Sequence, residues 1–435
     1  MHGAEWGAAL RLILSFAWFG GEVAGCGFYR GEDFWYNLYN NLSDMNVGKQ
    51  KIALGCYTDS AHPNGLKMLE LDESSGVMSV LAERHVSNAL YQALSPDGKY
   101  IYSCTGEGLA SFLAEGLKPV DSIPLGNCVC HVSAMPDGKR VVFADYLGGF
   151  AGSVAVENGK FGEVVTHRHS GSGPNLPRQD KAHCHQALPT PDGKGYCVVD
   201  LGLDQIVEYP SGRVFRTSPS GAGPRHLLFH PDGRLAFLVS ELGNLVTSLS
   251  WSPTDGFRTL DTLSTIISQK PQESFKQGVQ ERQENNSPAS PVLHAKNLCA
   301  SRGLAAASQF ASLTQPDALR RGRISPQREN YSIAAAIRFT PDMKRIVVSN
   351  RGEDSLAVYD FDSATGRLAF KSRTFLDGSW PRDFIFVSDN LALVALERSG
   401  EVHALRYNTA TGEFKMIATL GGLFRPVALC KGVNR

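Results

Sequence analysis

The sequence has no excess charge of either sign: 43 Lys and Arg stand against 43 Asp and Glu. Without a global field, nothing draws the chain onto nucleic acid or an anionic membrane, so any charge used in binding must be local. There is no Gly-x-Ser-x-Gly elbow of the kind serine hydrolases carry, and no convincing Gly-rich phosphate loop or dinucleotide fingerprint. The nine cysteines are odd in number and scattered, with no Cys-x-x-Cys pair. This argues against a disulfide framework and for a reducing, cytoplasmic setting. Long apolar runs are missing as well. Residues 12–21 are apolar but too short to span a bilayer. Val23-Ala24-Gly25-Cys26 resembles a lipoprotein processing box, but Glu5 and Glu22 are out of place in a leader. Residues 1–48 are expected to be a disordered extension ahead of a folded domain at 49–435.

What the chain does have is a repeat. A turn signature occurs at Pro96-Asp97-Gly98-Lys99, Pro136-Asp137-Gly138-Lys139, Pro191-Asp192-Gly193-Lys194 and Pro231-Asp232-Gly233-Arg234. It returns as Pro341-Asp342-Met343-Lys344 and, decayed, as Ser388-Asp389-Asn390. Pro presets φ for a type I turn, Asp bonds back to the backbone, and Gly takes the left-handed position. Residues such as Tyr100-Ile101-Tyr102 and Arg345-Ile346-Val347-Val348 make the flanks β-like, so each copy reads as a hairpin. The turns are spaced by 40, 55, 40, 110 and 47 residues. The long gap holds a Gln-, Ser-, Pro- and Arg-rich stretch at 265–331, expected to be a disordered surface insertion with at most a weak helix near 304–319.

A 40- to 50-residue repeat made of strands predicts an all-β, seven-bladed β-propeller of four-stranded blades. Six turns mark six blades and residues 51–84 supply the seventh. Ala364-Thr365-Gly366 and Ala410-Thr411-Gly412 read as outer turns. The strand at Ile52-Ala53-Leu54-Gly55 is expected to pair with the last blade and close the ring.

Because every hairpin shares its turn, positions compare between blades. Six residues before the Pro stand Leu90, Cys130, His185, Arg225, Ala335 and Arg382; nine after it stand Thr105, Asp145, Asp200, Ser240, Asn350 and Glu397. In an unbulged hairpin these two rows face each other, so His185 would oppose Asp200 and Arg382 would oppose Glu397. Ten after come Tyr146, Glu241, Arg351 and Arg398, among others. His183, His185, Arg225, Glu241, Arg351 and Arg382 should therefore meet around one mouth of the central channel. Three arginines, two histidines and a carboxylate there suit an anion-binding, acid–base site.

The same residues carry a resemblance. Ala182-His183-Cys184-His185-Gln186, Asp200-Leu201-Gly202, Gly223-Pro224-Arg225-His226, Glu241-Leu242 and Ser349-Asn350-Arg351-Gly352 resemble motifs of the propeller lactonase family, as do Tyr146-Leu147-Gly148-Gly149 and Pro381-Arg382-Asp383-Phe384. That family includes propeller-type 6-phosphogluconolactonases and fungal carboxy-muconate lactonising enzymes. The resemblance implies catalytic roles for His185, Glu241, Arg225 and Arg351, and substrate binding by His183, Asp200, Arg382, Asn350 and His226. It implies a small-molecule acidic lactone as partner, and neither metal nor other cofactor. The chain departs from the family at Ala336, usually acidic, and at Ala182, usually Pro.

The expected reaction is hydrolysis of an acidic sugar lactone, as in 6-phosphogluconolactonase. Water attacks the carbonyl, Glu241 or His185 is the base, and Asp200 orients the imidazole. Arg225 or Arg351 stabilises the oxyanion, and Arg382 grips the phosphate or carboxylate. Three alternatives stay open: a muconate-type lactonising isomerase, a non-catalytic interaction scaffold, and a metal site built from Cys128-Val129-Cys130-His131 and His183-Cys184-His185.

Overall fold

The computed structural model describes residues 48–126, 128–266 and 332–432. Along them run 28 strands in seven four-stranded antiparallel sheets, with no helix among the described residues and hence none long enough to cross a membrane. The innermost strands are β4 (Gln92–Leu94), β8 (Val129–Ala134), β12 (Cys184–Pro189), β16 (Pro224–Phe229), β20 (Ile333–Phe339), β24 (Pro381–Ser388) and β28 (Pro426–Lys431). Each packs against the innermost strand on either side, and β28 returns to β4, so the ring is closed. This is the expected seven-bladed propeller.

Closure is made by the seventh blade, where β28 joins β1 (Lys49–Cys56), β2 (Leu66–Asp72) and β3 (Met78–Arg84). Ile52 lies opposite Lys431 and Leu54 opposite Leu429, so strands from opposite ends of the described chain share one sheet and leave no open edge between first and last blades. Middle strands are apolar on both faces because they pack between neighbouring blades. Phe143, Phe237, Tyr359 and Phe384 are among the largest fully buried side chains. Outermost strands such as β11 (Lys160–Arg168) and β19 (Gly256–Ser264) are largely exposed.

The repeated turn works as its chemistry requires. The Asp Oδ1 accepts the N–H two residues on at Asp97, Asp137, Asp192, Asp232 and Asp342, over 2.8–3.2 Å. The next residue is left-handed in each of these turns: glycine in four, but Met343, at φ 56°, in the fifth. The insertion reading falls between β19 and β20. Residues 267–331 lie outside the described residues, as do 1–47, and with them the extension, the disordered insertion and the helix at 304–319.

One regular departure from an ideal hairpin matters for the site. In six innermost strands an extra residue interrupts the ladder at the same height: Cys130, His185, Arg225, Arg382, Val427, and one within Ala335–Ala336. A bulge of this kind re-aims a side chain and locally ends the pairing. Its consequence is a correction, since Asp200 pairs with Cys184 and not with His185.

Candidate functional site

Three chain segments converge on Glu241, just after β17 (Leu235–Ser240), where its N–H is held by the Gly223 carbonyl at 2.7 Å. Arg225, in the β16 bulge, places Nε 3.0 Å from Oε2. Arg351, the last residue of β21 (Arg345–Arg351), places Nη2 2.7 Å from the same oxygen. Arg178 places Nη2 2.6 Å from Oε1. Arg225 also donates to the Ala335 carbonyl at 2.7 Å, and Arg351 to that of Ala334 at 2.9 Å, so β20 supports both guanidiniums from its bulge.

A second carboxylate, Glu397, takes Arg382 at 3.1 Å, and Arg425 as well. The ring of Tyr57 lies under both guanidiniums, at 5.5 and 4.1 Å, while the indole of Trp380 lies 5.8 Å from Arg351 and 3.3 Å from Arg398. The expected Arg382–Glu397 pair is thus present. Within reach of these charges sits His185, its ring edge-on to Tyr146 and His226 at 5.5 and 5.4 Å. Its strand is further held by Cys130, whose thiol donates to the His185 carbonyl at 3.4 Å.

Burial and charge set the protonation states. Burial alone would raise the Glu241 carboxyl, but Arg351, Arg178 and Arg225 hold it well below the usual carboxylate range. Glu397 is lowered likewise, Arg382 and Arg425 overriding its burial. Burial, reinforced by Arg225, pushes His185 well below the usual imidazole range, leaving it neutral. Burial and the neighbouring Arg351 lower Arg225 to about 9, still charged at neutral pH. Several buried donors and acceptors here have no hydrogen-bond partner among the described residues: His185 Nδ1, Arg351 Nε, and Arg178 Nε and Nη1. Five guanidiniums around two carboxylates, with unused hydrogen-bonding atoms and a neutral imidazole beside them, form an arrangement chemically suited to an anion.

Of the residues expected from sequence, His185, Arg225, Glu241, Arg351, Arg382 and His226 are brought together. His183, Asp200 and Asn350 are not free for substrate. Asp200 Oδ1 accepts the N–H groups of His183, Gly202 and Leu203, and Oδ2 pairs with His169 at 2.7 Å. It braces the Asp200-Leu201-Gly202 turn, in which a Cβ on Gly202 would lie 1.9 Å from the Lys181 carbonyl. Asp200 therefore does not orient His185. His183 binds the Tyr146 carbonyl through Nδ1 and Asp180 through Nε2 while stacking on Tyr146. Asn350 donates to the Thr265 carbonyl and to Ser355. These three residues hold the loops of the mouth. Ala336 is fully buried among apolar side chains.

Arg178, Arg425 and Tyr57 escaped the sequence reading because none belongs to the repeated hairpin. The signal for Arg178 was the 55-residue spacing, whose surplus is the 169–183 loop. Its neighbour Gln179, fully buried, anchors that loop through Nε2 to the Leu201 carbonyl and Asp204, both at 2.8 Å. One residue nearer the turn than the bulges lies a deeper layer. There Arg338 pairs with Asp383 at 2.7 Å and reaches Tyr91, and His131 and His226 pack together. Among the described residues, Cys184 is the one member of the metal alternative that falls in a group of metal-ligating side chains, with His169 and Asp200.

The family model described as lactonase, seven-bladed β-propeller, matches residues 51–421. The chain belongs to that lactonase family. Among similar proteins, the 6-phosphogluconolactonase of Bacillus subtilis is 29% identical over 314 residues, covering 70% of this chain and 73% of its own. A Lactobacillus plantarum protein of known structure superposes with a TM-score of 0.69 at 24% identity, over 88% of this lactonase and 99% of that chain. The periplasmic gluconolactonase of Pseudomonas aeruginosa does so with a TM-score of 0.69 at 21% identity, over 89% and 99%. At these identities the two structures speak for the ring of blades alone.

Proposed function

We propose that this propeller lactonase hydrolyses the lactone of an acidic sugar, in the manner of a 6-phosphogluconolactonase. The observation that carries the proposal is the surplus of buried guanidinium over carboxylate around Glu241 and Glu397, next to a neutral imidazole with an unused Nδ1. A neutral lactone would not need so much buried positive charge, whereas a phosphate or carboxylate would help to neutralise it. The 6-phosphogluconolactonase relative from Bacillus subtilis points the same way.

In this reading the carbonyl oxygen lies against Arg225 or Arg351, which stabilise the tetrahedral oxyanion. Water forms the new C–O bond and gives a proton to His185. The ring C–O bond breaks, and His185 returns the proton to the leaving alkoxide, yielding the open hydroxy acid. Glu241 has both oxygens taken by Arg178, Arg225 and Arg351, and its role is to hold their guanidiniums in place. Arg382 and Arg178 take the substrate's anionic group. The seven described cysteines are all unpaired, which suits a reducing compartment such as the cytoplasm.

The test is hydrolysis of freshly made 6-phosphogluconolactone and of unphosphorylated sugar lactones, corrected for spontaneous opening. Catalysis should favour the phosphorylated lactone, and replacing Arg225 or Arg351 by Lys should slow it by roughly 10- to 1,000-fold. Uncatalysed rates with every lactone would leave the scaffold reading in its place.

A further inference from the structure

Adjacent to His185 in sequence, a second constellation takes no part in the lactone chemistry. His169 Nδ1 lies 2.7 Å from Asp200 Oδ2. Cys184 Sγ lies 3.5 Å from the same nitrogen and 3.9 Å from the same oxygen. Cys184 and Asp200 are fully buried, and the His169 side chain is 4% exposed. The arrangement is unsuited to a Cys-His-Asp nucleophilic relay. That needs the thiol and the carboxylate on opposite ring nitrogens, and here both approach Nδ1.

We propose that His169, Cys184 and Asp200 bind one zinc-class divalent cation, which fastens the strand that presents His185. With metal–ligand lengths of about 2.0–2.1 Å to N and O and about 2.3 Å to S, a tetrahedral centre sets its N and S donors roughly 3.5 Å apart, its O and S donors about as far, and its N and O donors roughly 3.3 Å apart. The Cys184–His169 distance already matches, the Cys184–Asp200 distance is slightly long, and the His169–Asp200 pair must open by about half an ångström. A thiolate, a carboxylate and a neutral imidazole around a dication sum to zero charge, which a buried site favours.

The outer contacts are in place too. His169 Nε2 sits 3.0 Å from Tyr209 Oη, so with metal on Nδ1 its proton has an acceptor on Nε2. Asp200 Oδ1 is already fixed by three backbone N–H groups, which leaves Oδ2 for the ion. His169, alone of the three, also lines a cavity of about 710 Å³, from which an ion can approach its ring. The cavity's cations, Arg168 and Lys181, are turned onto the carbonyls of Gly148 and Leu147. On binding, the Cys184 thiol proton leaves to solvent and the imidazole proton settles on Nε2.

The experiment uses the full chain, stripped with chelator and reloaded with zinc or cobalt(II). Expected are one zinc retained per chain after desalting, a cobalt spectrum with thiolate charge transfer and tetrahedral visible bands, and an X-ray absorption shell with a single sulfur. Cys184→Ser and His169→Gln should each weaken zinc binding by at least roughly 100-fold. Failure of the wild-type chain to retain zinc, a shell without sulfur, or unchanged binding in both folded variants would overturn the proposal. The sulfur count is read on the wild-type chain, so it decides the matter even if a variant does not fold. Lactone turnover plays no part in these readouts.

Discussion

Replacing Glu241 with Gln keeps the shape of the side chain and removes the negative charge on which Arg178, Arg225 and Arg351 converge. Arg178, 14% exposed, can swing into solvent. Arg225 and Arg351 cannot, being 3% and 1% exposed, although each keeps one backbone carbonyl. Leaving buried charges without their counter-ion costs about 3–5 kcal/mol, so the variant should lose about that much stability by urea unfolding. Adding Arg225→Met should restore more than about 1 kcal/mol of it, since the two sites are in direct contact and their effects cannot add. Activity should not follow stability: with the guanidiniums no longer aligned, kcat/KM for the acidic lactone should fall about 100-fold or more in both variants. A Glu241→Gln protein within about 0.5 kcal/mol of wild type would refute the electrostatic reasoning, because surface substitutions alone reach that size.

Other outcomes follow from the same geometry. Burial lowers His131 to about 3 and holds His185 and His226 well below the usual range. Below pH 6.5 the unfolded chain therefore gains protons that the folded chain refuses, and stability should fall from pH 6.5 to 5 by up to about 2 kcal/mol per histidine. Asp383 and Glu208, both raised by burial, oppose this with two groups, and the lowered Glu241 and Glu397 contribute their losses only at more acid pH; a flat urea midpoint across that range would be the contrary result. Arg178→Ala should raise KM for a phosphorylated lactone roughly 10- to 100-fold while leaving KM for a neutral one unchanged, and an equal rise for both would remove the residue from anion recognition. Met343→Gly should stabilise the protein by about 1 kcal/mol in thermal or urea unfolding, since glycine carries no penalty at the left-handed position methionine occupies there.

The ring of blades was legible because one local device, a proline-initiated turn with a back-bonding Asp, recurs in five of the seven blades and leaves its mark whatever surrounds it. Placing His185, Arg225, Glu241 and Arg351 at one mouth followed from counting away from that turn. The counting failed at Asp200, because a single extra residue at His185 shifts the partner by one place, and no residue type announces a bulge. It failed again for Arg178, Tyr57 and Arg425, which reach the mouth from loops whose course depends on packing between blades. Residues such as His183 and Asn350 carry polar groups suited to a ligand, yet their partners are backbone carbonyls distant in sequence, and those contacts exist only in the folded ring.

The seventh blade ties assembly to recognition. Tyr57 directly follows β1 and Arg425 directly precedes β28, and the Tyr57 N–H binds the Arg425 carbonyl at 3.1 Å. The guanidinium and phenol that complete the Glu397 half of the pocket therefore reach their places only when the first and last strands have found each other. During synthesis a growing chain could stack six blades and still hold an unfinished receptor for its ligand. Capture of an acidic ligand would then report that the circle has locked, and such a ligand would in turn act as a clasp on the seam.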